Sequence, residues 1–213
     1  MQELYNHNSL FRKKYFENLS NRFIHASLAI EDMYGNLNDT SQALKLYFQS
    51  QALEYAFDID TKEKLTINNI KEIERILTNE QYDNFRTTKV EVNGSKLERA
   101  KPQYIYMEMY QLFDNYYNIW NELDPYLREA MFHIKFLQIH PFEDGNGRTA
   151  RIILIRNLCA NNDIPCVITK EVKKEYYSYI ENYDPDGLAI FLKKLADKEL
   201  DTMTSIYLSL IHI

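Results

Sequence analysis

The segment from His140 to Arg151 concentrates the residue types that can carry out chemistry on a nucleotide. At its centre, Gly145, Asn146 and Gly147 form a glycine-bracketed turn. Glycine lets consecutive backbone N–H groups turn toward one point, which creates an anion-binding nest. The turn precedes an apolar run that predicts a helix, and the positive end of a helix dipole favours a phosphate there. The pattern therefore predicts a phosphate-binding loop.

Charged and titratable side chains accompany this loop. Asp144 offers a carboxylate that can hold a divalent cation against the same phosphates, since hard cations prefer oxygen ligands. Arg148 and Arg151 are three residues apart, so they share one helix face and can bind further phosphate oxygens. His140 stands at the start of the segment as a proton acceptor that works near neutral pH. Together these residues predict group-transfer chemistry on a nucleotide.

The flanking sequence predicts helices that hold this loop rigidly. Asp124 and Pro125 are typical of a helix start, an N-cap followed by a first-turn proline, and the helix they open is apolar on most sides. A second apolar helix follows the loop and ends near Asn161. Further helices are indicated by apolar residues at helical spacing: Ile105, Met109, Leu112, Tyr116 and Ile119, and later Leu188, Phe191, Leu195, Leu200 and Met203. We expect an all-α bundle with the loop between two core helices.

One segment breaks the helical periodicity. The residues that alternate like a β-strand are Thr88, Lys89, Val90, Glu91 and Val92. The pair that follows, Asn93-Gly94, is the preferred one for a two-residue hairpin turn. The sequence thus predicts one β-hairpin on an otherwise helical protein.

Composition narrows the class of protein. The chain has 213 residues, 45% hydrophobic and 26% charged, which suffices to bury one substantial core. A net charge of -6 argues against a broad nucleic-acid surface, so direct nucleic-acid binding is not expected. The two cysteines, Cys159 and Cys166, imply no disulfide framework. The sequence has no signal-peptide pattern and no apolar run of membrane-spanning length, so we expect a cytoplasmic protein without a membrane partner.

The segment from His140 to Arg151 resembles, at every fixed position, the signature of the Fic family: His-Pro-Phe-x-(Asp/Glu)-Gly-Asn-Gly-Arg-x-x-Arg. The resemblance implies an all-α, Fic-type helical bundle with one β-hairpin flap. It also implies transfer of AMP from ATP to a Ser, Thr or Tyr hydroxyl on an extended segment of a target protein. Modification of the protein by itself is a further expectation.

The resemblance also assigns roles within the loop. His140 takes the proton of the attacking hydroxyl, and Asp144 holds Mg²⁺ across the phosphates. Asn146, with the N–H groups of Gly145 and Gly147, stabilises the α-phosphate as the transition state forms.

Residues around the loop receive roles in the same way. Arg148 binds the β-phosphate and Arg151 the γ-phosphate, which aligns pyrophosphate as the leaving group. Tyr177 can stack on the adenine. The hairpin of residues 88–92 resembles the family's flap, which docks the target by strand addition.

An upstream pattern suggests regulation. Ser27 and Glu31 fit the (Ser/Thr)-x-x-x-Glu pattern of the family's inhibitory helix, and four-residue spacing places both on one helix face. The resemblance implies that Glu31 pairs with Arg151 and denies it to the γ-phosphate. The chain departs from the family pattern at Asp32, where Gly or Asn is usual.

Three segments follow from these assignments: residues 1–40 with the inhibitory helix, 41–198 as the Fic core, and 199–213 as the end of the last helix. Other functions stay open. Glu31 can position a water that removes AMP, which would make the protein a deAMPylase, and some relatives transfer other phosphate-bearing groups. A non-catalytic nucleotide-binding module, regulatory or of the toxin–antitoxin kind, is the alternative outside enzymes.

Overall fold

A computed structural model describes residues 8–33, 40–59, 63–81, 84–91, 95 and 97–211. Its α-helices are α1 (Ser9–Ile30), α2 (Thr40–Asp58), α3 (Ile67–Thr78), α4 (Ile105–Asp114), α5 (Pro125–Ile139), α6 (Asn146–Ala160), α7 (Lys173–Glu181) and α8 (Pro185–Ile211). Single 3-10 turns precede α4 and α7, at Pro102–Tyr104 and Lys170–Val172, and a π turn at Asn115–Ile119 follows α4. The prediction of an all-α protein is confirmed across these ranges.

The predicted β-hairpin is not seen in the described ranges. Residues 84–91 run without helix or strand, and Thr88, Lys89 and Glu91 are exposed while Val90 is half-buried. Val92 and the Asn93-Gly94 turn lie outside the described residues. The flap therefore stays a prediction.

The helices begin and end where local chemistry dictates. The Asp124 carboxylate accepts hydrogen bonds from the N–H groups of Tyr126 and Leu127, and Pro125 occupies the first turn, as the sequence predicts. At α3, Thr66 and Asn69 form a reciprocal capping box, and Asn79 closes the helix in the left-handed conformation. These caps fix α3 and α5, the two helices that flank the phosphate loop in space.

Helix α6 lies between two cores, which explains why it is apolar on several faces. One face joins the larger core with α4, α5 and the end of α7, through Ala150, Ile153, Leu154 and Leu158. The other face joins a second core made by α1, α2 and α3, through Ile152 and Ile155. A helix held from both sides is a rigid mount for the residues at its N-terminus.

The predicted division of the chain can be placed on these helices. Helix α1, in the N-terminal segment, packs against α2, α6 and α8. Helix α8 continues through position 198, the predicted end of the core segment, to Ile211. Within the ranges described, no helix combines the length and apolarity needed to span a membrane.

Candidate active site

The backbone turns sharply at His140. The residue closes α5 with φ 52° and ψ 62°, in the left-handed region, and its N–H donates to the Phe136 carbonyl at 2.9 Å. A non-glycine residue in this region marks a backbone position that surrounding structure must hold in place. The side chain lines a cavity of about 470 Å³ together with Glu31, Gly147 and Tyr177.

The environment of His140 keeps its imidazole neutral. Burial, together with the nearby Arg99 and Arg86 guanidinium groups, lowers the pKa of His140 to about 4, while Glu31 acts in the opposite direction. Because this pKa lies far below neutral pH, the imidazole of His140 is unprotonated there. An unprotonated imidazole facing a cavity can accept a proton.

Asn146 closes the loop. Its side-chain oxygen accepts from the Phe142 N–H at 3.0 Å, and its side-chain nitrogen donates to the Phe142 carbonyl at 2.8 Å. Asn146 is 3% exposed, and the Phe142 ring packs against Phe85 and Phe136. The structure therefore gives Asn146 a role in shaping the loop. Its predicted contact with the α-phosphate stays a prediction.

Gly145 satisfies two requirements at the N-cap of α6. Its φ of 76° lies in the region that favours glycine. A Cβ there would also lie 3.2 Å from the Thr78 methyl group and 3.3 Å from Cγ of Glu74, both on α3. Burial raises the pKa of Glu74 to about 7, with Asp144 adding to the rise. The loop thus rests directly on α3, through a contact that the sequence pattern did not reveal.

Asp144 lies at the outer side of the loop. Its carboxylate accepts from Arg148 Nη2 at 3.0 Å and from the Gly145 N–H at 2.5 Å. The Asp144 side chain is 67% exposed, whereas that of Arg148 is 6% exposed. The arrangement leaves the carboxylate accessible to a cation and fixes the guanidinium beneath it.

The predicted pairing of Glu31 with Arg151 is present, and Ser27 also contacts Arg151. Arg151 Nη2 donates to Glu31 Oε1 at 2.7 Å and to the Ser27 carbonyl at 3.0 Å, and its Nε donates to Ser27 Oγ at 3.0 Å. Although burial lowers the pKa of Arg151, the Glu31 carboxylate and the hydroxyls of Tyr176 and Tyr177 raise it above its ordinary value. Arg151 Nη1 is buried and has no hydrogen-bond partner within the described part of the chain.

Glu31 also covers the N-terminus of α6. A Cβ built on Gly147 would lie 2.5 Å from Glu31 Oε1, so the carboxylate rests against the glycine backbone. This is the position at which the sequence predicts a phosphate. Glu31 therefore places a carboxylate at the predicted anion site.

Asp32 stands at the position where the family's inhibitory pattern usually has Gly or Asn. The residue has φ 53°, a conformation that glycine and asparagine adopt readily. Its carboxylate pairs with Lys173 at 2.8 Å and with Lys170 at 2.9 Å, and these lysines lower the pKa of Asp32 to about 2. The two ion pairs connect the end of α1 to the start of α7.

Four of the predicted residues, Glu31, His140, Gly147 and Tyr177, line one cavity, whereas the described flap residues 88–91 are not part of its lining. Tyr177 lines the cavity, and its predicted stacking on adenine stays a prediction. Thr88 donates to Glu143 at 2.7 Å, which joins the start of the predicted flap to the loop. Sequence reasoning missed Arg99 and Lys173 in the cavity wall, because neither belongs to the signature.

Known proteins similar to this chain point to one family. Residues 64–158 match the Fic/DOC family model. Protein adenylyltransferase fic-1 from Caenorhabditis briggsae is 30% identical over 143 residues, which is 62% of this chain and 27% of that protein. Protein adenylyltransferase Fic from Drosophila grimshawi is 28% identical over 140 residues, 64% of this chain and 29% of that protein. The chain therefore spans less than a third of the length of these curated relatives.

Solved structures share the fold. Residues 134–508 of Fic-1 from C. elegans superpose with a TM-score of 0.78 at 19% identity, covering 99% of this chain and 70% of that one. A Fic-domain signaling protein from Bacteroides thetaiotaomicron gives a TM-score of 0.76 at 21% identity, covering 93% and 90%. Residues 64–158, which include the signature segment, thus match the Fic/DOC family, and the chain shares the helical fold of these solved Fic-domain proteins.

Proposed function

We propose that the protein transfers AMP from ATP to a Ser, Thr or Tyr hydroxyl of a target protein. The observation that carries this proposal is a neutral His140 facing the same cavity as Gly147 at the N-terminus of α6. A proton acceptor and an anion site on one cavity wall suit attack on a phosphorus atom. The names of the curated relatives support the same reaction.

The residues divide the reaction between them. The target oxygen attacks the α-phosphorus, its proton passes to the neutral ring nitrogen of His140, and the bond from the α-phosphorus to pyrophosphate breaks. The Gly147 N–H lies at the helix N-terminus, where it can bind the α-phosphate, whereas the Gly145 N–H donates to Asp144 in this structure. Arg148 and Arg151 hold the departing pyrophosphate in line with the attacking oxygen. Arg151 Nη1, which has no hydrogen-bond partner in the described part of the chain, is a donor that the phosphate can use.

A divalent cation fits beside Asp144. The exposed carboxylate supplies one oxygen ligand at the loop, and Mg²⁺ bound to a nucleotide takes few protein ligands and keeps several waters. When bound, Mg²⁺ neutralises charge on the phosphates. Asp144 would hold the cation in position, and Arg148, which donates to the Asp144 carboxylate, orients that carboxylate.

We further propose that Glu31 is an autoinhibitory brake. Its carboxylate lies at the proposed phosphate position beside Gly147. It also accepts a hydrogen bond from Arg151, the residue proposed to bind the γ-phosphate. ATP that enters the cavity under these conditions lacks the contact that sets its α-phosphate in line. The brake therefore acts on the pose of the triphosphate.

The target is proposed to dock on the flap. Residues 88–91 form neither helix nor strand and are largely exposed, and Thr88 contacts Glu143 of the loop. Strand addition registers an extended segment through backbone hydrogen bonds, with little demand on its side chains. This mode explains how a hydroxyl of Ser, Thr or Tyr can reach His140.

Removal of AMP is a second candidate, because Glu31 lines the same cavity as His140. A carboxylate at that position can orient a water toward the phosphorus of a modified side chain. The two directions make opposite demands on Glu31: it hinders transfer and assists removal.

Mass spectrometry of proteins incubated with ATP and Mg²⁺ tests the proposal. A cell lysate treated with the Glu31→Gly variant should acquire AMP on hydroxyl side chains, and the matched Glu31→Gly/His140→Ala variant should leave them unmodified. If wild type strips AMP from proteins modified by Glu31→Gly, removal is its main reaction. Bound ATP that is never consumed by any variant would identify a nucleotide-binding module.

A further inference from the structure

We infer that Arg86 and Arg99 are positioning residues that fasten His140 to both stems of the predicted flap, so that target docking and orientation of the base are coupled. The first stem is residues 84–91 and the second is residues 97–101; we call the two side chains the arginine clamp. The kinetic consequence rests on the proposed function, whereas the contacts do not.

Arg86 holds four backbone carbonyls at once. The residue is 3% exposed. Its Nε donates to the His140 carbonyl at 2.6 Å, and its Nη2 donates to the Ile139 carbonyl at 3.3 Å. Toward the flap, Nη1 donates to Thr88 at 2.6 Å in the first stem and Nη2 to Ala100 at 2.5 Å in the second. One guanidinium therefore joins both stems to the residue that carries the base.

Arg99 makes a parallel contact from the second stem. Its Nη1 donates to the Leu137 carbonyl at 2.7 Å, and its Nη2 donates to Ser95 Oγ at 2.8 Å. The backbone adds one more link, because the Arg86 N–H donates to the Pro141 carbonyl at 2.9 Å. The end of α5 and the residue after His140 are thus held from both stems.

The helix end explains why arginine occupies these positions. The last four carbonyls of an α-helix lack intrahelical partners, and α5 ends at Ile139 with the left-handed His140 after it. A guanidinium supplies several donors in one rigid plane and complements the negative end of the helix dipole, which a lysine cannot do for four acceptors at once. The clamp therefore stabilises the strained turn that directs the imidazole into the cavity.

The same guanidinium groups influence protonation of the base. The charged side chains that act on His140 are Arg99 and Arg86, which disfavour the imidazolium, and Glu31, which favours it. Burial acts in the same direction as the arginines. The clamp therefore orients the imidazole and keeps it able to accept a proton.

Coupling follows from the shared partners. A target strand that pairs with the first stem constrains the backbone around Thr88, and Arg86 transmits that constraint to the carbonyl of His140. Because Arg86 contacts both the docking strand and His140, the target hydroxyl stays within reach of the imidazole. Loss of the clamp should reduce turnover with target more than binding of ATP.

The test separates the geometry of the clamp from its charge. Arg86→Lys keeps a cation but loses the planar fork, whereas Arg86→Met loses both. The matched controls are Arg75→Lys and Arg75→Met on α3, where Arg75 pairs with Glu72 on the same helix at 2.6 Å. Hydrogen exchange measured by mass spectrometry reports on the stems, and histidine NMR with His140→Ala as the assignment reference reports on the base.

Arg86→Lys should raise amide exchange about tenfold or more in both stems and in residues 139–142, with the His140 pKa unchanged. In the Glu31→Gly background it should lower kcat for label transfer from ATP to lysate proteins by about tenfold or more, with KM for ATP within about twofold. Arg86→Met should in addition raise the His140 pKa slightly above about 4, because one of the two nearby guanidinium groups is lost while burial, the larger cause, remains. The Arg75 variants should show none of these changes.

The inference is overturned if exchange rises in the first stem alone, or if the His140 pKa stays unchanged in Arg86→Met. Should Arg86→Met fail to fold, Arg99→Met provides the charge measurement, because Arg99 is half-buried and lies in the second stem. If Glu31→Gly transfers no AMP, the proposed function fails while exchange and titration still decide the clamp.

Discussion

Replacement of Glu31 by glycine tests the brake directly. Glu31 and Arg151 are joined at 2.7 Å, with side chains 27% and 2% exposed. A hydrogen bond to a charged group in such surroundings contributes about 1.5–3 kcal/mol net. Since about 1.4 kcal/mol corresponds to a factor of ten, release of Arg151 should raise the rate of AMP transfer about 10- to 100-fold.

The assay is the initial rate of label transfer from α-labelled ATP to lysate proteins. It compares wild type, Glu31→Gly, Arg151→Ala and the double variant, with Glu17→Gly as the control on the exposed face of α1, where Glu17 pairs with Lys14. The gain should vanish in the double variant, because the released guanidinium is absent. A Glu31→Gly rate no higher than wild type, with labelling detectable in both, would refute the brake.

The same substitution should lower thermal stability in the absence of nucleotide. It leaves the buried Arg151 guanidinium with Ser27 as its remaining hydrogen-bonded acceptor among the described residues. At about 2–4 °C per kcal/mol in a protein of this size, loss of a contact worth about 1.5–3 kcal/mol should lower the melting temperature by roughly 3–12 °C. Saturating ATP should restore part of the loss, because its phosphates replace the carboxylate.

Four further predictions concern the base, the loop and the flap. His140→Ala should lower transfer about 10²–10⁴-fold while ATP binding by calorimetry is retained, and undiminished labelling would contradict its role. Because the His140 pKa is lowered to about 4, kcat/KM should stay constant as the pH falls through 6.5 and decrease only near 4. Circular dichroism checks that the protein stays folded, and a decrease centred near 6.5 would contradict the prediction. Asn146→Ala should reduce kcat more than ATP affinity, since it opens the turn at Phe142; equal losses would indicate ground-state binding only. Val90→Pro should reduce target labelling and spare ATP binding, and intact labelling would move docking to another surface.

Much of the site could be predicted because its parts are adjacent in sequence. The signature places a base, a carboxylate and two arginines within twelve residues, and the helices on either side begin at recognisable signals such as Asp124-Pro125. The contact between Glu31 and Arg151 spans 120 positions, yet the family resemblance predicted it and the structure contains it. Local pattern and family resemblance thus supplied the centre of the site.

Other features depend on contacts that no local pattern contains. Ile119 follows the helical spacing of α4 but is 63% exposed, because the π turn at Asn115–Ile119 widens the helix and rotates this residue away from the core. Arg86 and Arg99 act on carbonyls 38 to 54 positions away, and backbone acceptors leave no trace in residue identity. The ion pairs of Asp32 with Lys170 and Lys173 are equally remote.

The placement of Glu31 also determines which kinetic constant the brake should change. The carboxylate rests against Gly147 and Arg151, at the phosphate end of the cavity, whereas Tyr177 and Ile180 line the wall formed by α7. A nucleotide can therefore gain contacts with that wall while Glu31 still holds Arg151. Affinity then changes little when the brake is released, but the fraction of bound ATP posed for attack rises, because the carboxylate and the γ-phosphate compete for one guanidinium. Release of the brake should accordingly raise kcat and leave KM for ATP nearly constant. A lowered KM with unchanged kcat would mean that Glu31 blocks the entry of ATP and does not affect its pose.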